Sequence, residues 1–241
     1  VSTDEVYGPS MFMDHKTELA MQNSDNHDAL YGFDEDARFR PANPYAAAKA
    51  GGEMVAMAYA NTYKLPVTIV NTMNLIGERQ HPEKFVPMVI RKVMARETVT
   101  IHADQTRTKS GTRFYLHCRT FAHALLWMVS HWTGGGTQPC GKKLWGFQDG
   151  EFPLKLHVCG EREISNLELA EMIARCVGKP LQHEMVDFHS SRPGHDLRYA
   201  MDDSAIRGLG WARPMGLEAS LEKTVHWYLA NPQWLASNKP G

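Results

Sequence analysis

One stretch constrains the fold of this chain more than any other. Asn43-Pro44 is followed by an Ala-rich run to about Tyr63, and then by Pro66 to Asn71, which reads PVTIVN. Asn is a favoured N-cap, Pro fits the first helical turn, and Ala is the best helix former. PVTIVN is a short β-branched run of the kind buried on both faces in a parallel sheet. A helix feeding such a strand is one unit of a doubly wound α/β sheet. The chain is therefore expected to be α/β.

Other segments extend that reading. Residues 1–8 read as a strand end closed by a turn at Tyr7-Gly8-Pro9, and residues 10–42 as a long polar loop of the functional sort. Phe85, Val86, Val89, Ile90 and Val93 mark an amphipathic helix over 82–96. Strands are expected near Val99–His102, Arg113–His117, Leu154–Val158 and 183–187, and helices near 120–132, 202–208 and 217–230. Ser165-Asn166-Leu167-Glu168 is a capping box opening a helix that Gly178 closes. Thr133 to Phe152 is rich in Gly and reads as a loop or hairpin.

Composition excludes several function classes. Lys plus Arg number 26 and Asp plus Glu 27, so no general nucleic-acid surface is expected. The four cysteines form no CxxC pair and the twelve histidines no HExxH, so no metal site is expected. No apolar run approaches the roughly 20 residues that cross a bilayer. The expectation is a cytoplasmic protein without membrane or nucleic-acid partners.

Two motifs carry the chemistry. Tyr45 and Lys49 lie four positions apart in the helix and share one face. An ammonium near a phenol favours phenolate, making a base that takes a proton from an alcohol while its carbon loses hydride. The second motif is Thr3-Asp4-Glu5 at a strand end, where α/β sheets place ligands. Neighbouring strand residues face opposite ways, so both carboxyls reach one ligand only if the strand stops there. Two carboxyls in one pocket can divide into acid and base. A lone YxxxK or TDE is common by chance; the two in this order are specific.

These residues, with NPYAAAK, PEKFVP, RPGHD-RYA, LGW and KTVHWYLAN in order, resemble the dTDP-glucose 4,6-dehydratases over nearly the whole chain. Those enzymes are extended short-chain dehydrogenases/reductases. The resemblance implies a Rossmann-type sheet whose later part is residues 1–75, and a smaller substrate domain over most of 76–241, with some segments returning to the sheet. It implies NAD as cofactor and a nucleoside-diphosphate hexose as substrate. Thr3 and Tyr45 would engage the sugar 4-hydroxyl, with Tyr45 as base. Glu5 would remove the C5 proton and Asp4 protonate the departing C6 hydroxyl. Lys49 would also hold the nicotinamide ribose. Asn74, Lys84, Phe85, Arg113, Asn166, Arg192 and His195 would meet the substrate. Asn166 as part of a helix cap and Arg113 as a solvated strand arginine are the plainer alternatives. A homodimer through the YxxxK helix is expected for the complete protein.

The chain also departs from the family. Arg113-Phe114-Tyr115-Leu116-His117-Cys118-Arg119-Thr120 keeps the arginine of R-D-W-L-Y-V-E-D but not its acids. No GxxGxxG follows a strand, so the dinucleotide loop is expected upstream of Val1 and the fragment alone is expected to be inactive. Two alternatives stay open: another nucleotide-sugar epimerase, decarboxylase or dehydratase of the superfamily, or a non-catalytic remnant.

Overall fold

Residues 1–10, 32–132, 155–188 and 197–236 are described by a computed structural model, and every statement below concerns them. The Gly-rich stretch 133–152 and the candidate residues Arg192 and His195 lie outside them. The strands are β1 (Ser2–Thr3), β2 (Ile69–Thr72), β3 (Leu75–Ile76), β4 (Val99–Ala103), β5 (Thr112–Phe114), β6 (Leu116–His117), β7 (Lys155–Val158), β8 (Glu163–Ser165) and β9 (His183–Asp187). The helices are α1 (Pro44–Tyr63), α2 (Phe85–Ala95), α3 (Cys118–Trp132), α4 (Asn166–Val177), α5 (Ser204–Gly208) and α6 (Leu217–Ala230). Asp4–Tyr7 and Pro232–Leu235 form 3₁₀ turns.

The chain divides into two compact units. The first holds Val1–Met73, Phe121–Cys159 and Gly194–Arg213. Its sheet is all parallel, in the order β1-β2-β7, with Thr3 beside Thr72 and Asn71 beside His157. All four residues of β2 are buried, as an all-apolar-flanked parallel strand requires. Helix α1 starts where the sequence predicts: Asn43 is extended and its Oδ1 accepts from the Ala46 amide at 2.8 Å, with Pro44 at the first position.

The second unit holds Asn74–Thr120, Gly160–Pro193 and Pro214–Gly241. Its core is built from three amphipathic helices. Val86, Val89, Ile90 and Val93 of α2 meet Leu169, Ala170 and Ile173 of α4 and Leu217, Leu221, Val225 and Tyr228 of α6. Each large apolar side chain buried this way contributes about 1.5–3 kcal/mol. Short strand pairs surround them: β3 with β6 and β4 with β9 in parallel, β5 with β8 antiparallel. The single strand expected over Arg113–His117 is split at Tyr115, because its two halves pair with different partners. Gly160 permits that junction, since a Cβ there would run into the Tyr115 carbonyl.

In the first unit, the segment after residue 31 covers the side of β7 away from β2. Phe33 bridges Met201 in parallel, through Phe33 N–H to Ala200 O at 3.1 Å and Asp202 N–H to Phe33 O at 2.9 Å. The His157 amide donates to Glu35 Oε1 at 2.9 Å, so a carboxyl takes the place of a further strand. Burial, with the charges of Asp202 and Asp34 added, pushes the Glu35 carboxyl up to about 7 against the backbone donors that lower it. The folded state thus holds this proton more tightly than the unfolded chain. Its contribution is full below the ordinary Glu range and is lost as pH rises through about 7. Glu35→Gln should therefore remove a fall in melting temperature between pH 5 and 8 that the parent chain shows. A parent chain that gains stability across that range would contradict the placement of Glu35.

Candidate active site

Strand β1 stops at Thr3, three residues earlier than a turn at Tyr7-Gly8-Pro9 would stop it. Thr3 is the extended N-cap of the 3₁₀ turn: its hydroxyl accepts from the Glu5 amide at 3.4 Å and donates to Asp4 Oδ1 at 3.0 Å. This break frees Asp4 and Glu5 from the opposite-facing geometry of a strand. Asp4 is buried and Glu5 partly so. Gly8 closes the turn at φ 78°, its N–H donating to Glu5 O at 3.1 Å. A side chain there would need a left-handed backbone and would meet the Arg40 carbonyl.

Asn43 connects this turn to α1, a role the sequence reading missed. Its oxygen caps the helix and its Nδ2 donates to Glu5 Oε2 at 2.8 Å. One amide therefore fixes both the helix start and a carboxylate. Its identity as an N-cap was visible in the sequence; its second bond is a tertiary contact 38 residues away in the chain.

Tyr45 is 56% exposed, one residue into the helix. Its phenol is shifted upward, by burial first and by the Glu5 charge next, while a side-chain hydrogen bond to Thr3 pulls it partway back. This is opposite to the direction that Tyr–Lys spacing alone leads one to expect. The reason is geometric: the Lys49 ammonium donates to the Val1 carbonyl at 2.9 Å. Thr3, Asp4, Glu5, Tyr45 and Lys49 are brought together on β1, its turn and α1.

The other candidates among the described residues lie in the second unit. Asn74 has φ 42° and its carbonyl accepts from the Leu116 amide at 3.3 Å. Lys84 is the N-cap of α2 without a side-chain cap bond, and Phe85 packs on the core. Arg113, on β5, donates through Nη1 to Thr112 O at 2.6 Å. Asn166 follows the true cap, Ser165, whose hydroxyl accepts from the Glu168 amide at 3.0 Å. The capping box is half-formed, because Glu168 pairs with Arg162 at 3.2 Å. Asn166 Oδ1 accepts from the Tyr115 hydroxyl at 2.8 Å, and β5–β8 pairing sets Arg113 opposite Ile164, two residues before it.

Among the described residues one group has metal-ligand chemistry: Glu78, His117 and Cys118. His117 Nδ1 accepts from the Arg119 amide at 3.1 Å, capping α3, so Nε2 carries the ring proton. Nε2 faces Glu78 Oε2 at 3.5 Å, and Arg119 takes the other Glu78 oxygen at 3.2 Å. Burial first lowers the His117 pKa, which keeps the ring neutral. Nδ1 is taken up by the cap of α3, whereas Nε2 is buried without a hydrogen-bond partner among the described residues, the Glu78 carboxylate standing 3.5 Å away.

A parallel sheet ending in a carboxyl-bearing turn, beside a helix presenting Tyr and Lys one turn apart, puts these groups where Rossmann-type sheets bind their ligands. Comparison with known proteins agrees. The profile of the NAD dependent epimerase/dehydratase family matches residues 1–138. A trifunctional UDP-glucose 4,6-dehydratase/UDP-4-keto-6-deoxy-D-glucose 3,5-epimerase/UDP-4-keto-L-rhamnose-reductase of Arabidopsis thaliana is 34% identical over 97% of this chain and 29% of its own length. The dTDP-glucose 4,6-dehydratase of Salmonella typhimurium is 32% identical over 100% of this chain and 60% of its own. The solved dTDP-glucose 4,6-dehydratase of Streptomyces venezuelae, with NAD and TYD bound, superposes with a TM-score of 0.71 at 28% identity, over 97% of this chain and 60% of that one. A UDP-glucuronic acid 4-epimerase of Bacillus cereus, at 19% identity and a TM-score of 0.69, shares the fold. The chain belongs to the NAD dependent epimerase/dehydratase family, whose cofactor is NAD. It spans about 60% of the length of the bacterial dehydratases it matches.

The placement of Glu5 makes a direct prediction. Because its charge raises the Tyr45 phenol, Glu5→Gln should move the Tyr45 titration to lower pH, followed by NMR of ring-labelled tyrosine. A midpoint that stays or rises would place Glu5 away from Tyr45.

Proposed function

We propose that the whole protein carries out NAD-dependent 4,6-dehydration of a nucleoside-diphosphate hexose, giving the 4-keto-6-deoxy sugar. The observation that carries this reading is the turn at Thr3–Glu5. It places two carboxyls at a strand end, and Asn43 ties one of them to the cap of the Tyr45 helix. A reaction confined to C4 needs no such acid and base pair.

In this reading Thr3 and Tyr45 engage the sugar 4-hydroxyl and Tyr45 takes its proton. Burial and Glu5 keep Tyr45 protonated in the chain described here, so the base form needs positive charge nearby. Lys49, one turn along α1, is the chain's own source of it. Glu5 then removes the C5 proton, and Asp4 protonates the leaving C6 hydroxyl. NAD, when bound, would supply hydride acceptance at C4 and hydride return to C6, and Glu5 would give the proton back to C5. Lys49 fits a role at the cofactor ribose, since its bond to Val1 uses one of three N–H donors. We assign residues 1–75 to the cofactor-binding domain and most of 76–241 to the substrate domain. Asn74, next to the boundary, and Lys84, Phe85, Arg113, Asn166, Arg192 and His195 beyond it would meet the nucleotide sugar. Arginine forks and neutral donors suit a diphosphate.

A homodimer through α1 belongs to the same proposal. Met54, Val55, Tyr59 and Tyr63 stand 53–64% exposed along that helix, a large apolar stripe for a surface. A cytoplasmic location fits the free thiols of Cys118, Cys159 and Cys176. No helix among the described residues is long and apolar enough to cross a membrane.

The acid and base assignments are separable in the whole protein. Glu5→Gln should still oxidise C4, seen as bound NADH, yet fail to exchange the C5 hydrogen with deuterated solvent. Asp4→Asn should slow water loss by roughly 10²–10⁴-fold, the usual worth of general acid help. Normal release of the 6-deoxy product by both variants would refute the assignment.

A further inference from the structure

A buried ion pair lies beneath the site, and the proposed chemistry does not use it. Glu53 is eight residues after Tyr45 and four after Lys49 on α1, and is 4% exposed. Its Oε2 stands 3.0 Å from the Lys155 ammonium of β7, itself buried. Its Oε1 accepts from Asn71 Nδ2 at 2.8 Å, and the same NH₂ group donates to the Thr3 carbonyl at 2.9 Å. The Lys155 ammonium also sits over two rings, 4.5 Å from the centre of Tyr7 and 4.4 Å from that of Phe39. Tyr7 is the last residue of the Asp4–Tyr7 turn. Its hydroxyl donates to His157 Nε2 at 2.6 Å, because His157 Nδ1 donates to the Asp202 carbonyl at 3.0 Å.

The pair therefore reaches both ends of the carboxyl-bearing turn. Through Asn71 it holds Thr3, and through the Lys155–Tyr7 contact it holds Tyr7. Glu53 is built on the helix that carries Tyr45 and Lys49. Burying two charges is a poor route to stability, since desolvation cancels most of their attraction and an apolar pair of similar size often does as well. What a buried pair adds is a defined arrangement.

We propose that Glu53 and Lys155 are positioning residues, which lock the helix bearing Tyr45 and Lys49 to the Thr3–Tyr7 turn. The inference extends the dehydratase reading, and its first test needs no activity. The double variant Glu53→Leu/Lys155→Met removes both charges and fills the space. Either single substitution would leave a buried charge without its partner and lower the melting temperature. The double variant should regain the parent melting temperature. Its Tyr45 titration should nevertheless move toward the ordinary value near 10, because the phenol is no longer held against Thr3 and Glu5. In the whole protein, kcat should fall by about 10- to 100-fold with little change in KM for the nucleotide sugar, as expected of a small misplacement. Glu53→Asp, which keeps the charge but shortens the reach, should give a smaller shift of the same sign. It stands in if the double variant does not fold. Parent-like Tyr45 titration in the variant, or unchanged kcat despite a shifted titration, overturns the proposal. A shifted titration together with a parent protein that does not dehydrate the sugar leaves the positioning role standing and removes the dehydratase reading.

Discussion

The end of β1 at Thr3 is the constraint on which the site depends. In a continued strand Asp4 and Glu5 would point to opposite faces of the sheet. The Thr3 hydroxyl prevents this by satisfying the Glu5 amide and bonding Asp4 in the same turn. With the backbone wound into a 3₁₀ turn, both carboxyls stay at the carboxyl end of a parallel sheet. Asn43 then ties Glu5 to α1, and Asn71 ties Thr3 to β2 and Glu53. Local hydrogen bonding thus sets where two acids sit relative to one phenol.

Much of the architecture is legible in the sequence, for identifiable reasons. Helices α2, α4 and α6 bury one stripe each, so their 3.6-residue period is plain in Val86, Val89, Ile90 and Val93 and in Leu217, Leu221 and Val225. Strands β3 and β8 have two and three residues, too short for a period of two to register. Tyr115 marks the opposite failure, where one unbroken extended stretch, residues 112–117, serves two sheets. The catalytic candidates were legible as motifs, whereas their supports were not. Helix α1 buries Ala46, Ala50, Glu53 and Ala60, a face with no apolar stripe to betray it. Glu53 accordingly reads as an ordinary solvated glutamate, and Lys155 as a strand lysine, until the fold brings them together. The Tyr45 shift is likewise a tertiary effect, because the sequence shows Lys49 one turn away but not the Val1 carbonyl that engages it.

The two compact units divide the candidate residues by kind. Those proposed for acid, base and cofactor roles lie in the first, on β1, its turn and α1. Among the described residues, those proposed to meet the substrate lie in the second, before β3, at the start of α2, on β5 and at the start of α4. This matches the general habit of enzymes that hold a large substrate through groups distant from the reacting carbons. The family assignment gives the superfamily. The choice between dehydration and simple epimerisation rests on two adjacent carboxyls.

That choice is tested most directly by following one hydrogen. In the whole protein with NAD, a nucleoside-diphosphate glucose carrying deuterium at C4 should yield a 4-keto-6-deoxy sugar with the deuterium in its C6 methyl group. A product epimerised at C4, with deuterium still at C4 and the C6 hydroxyl intact, would contradict the account.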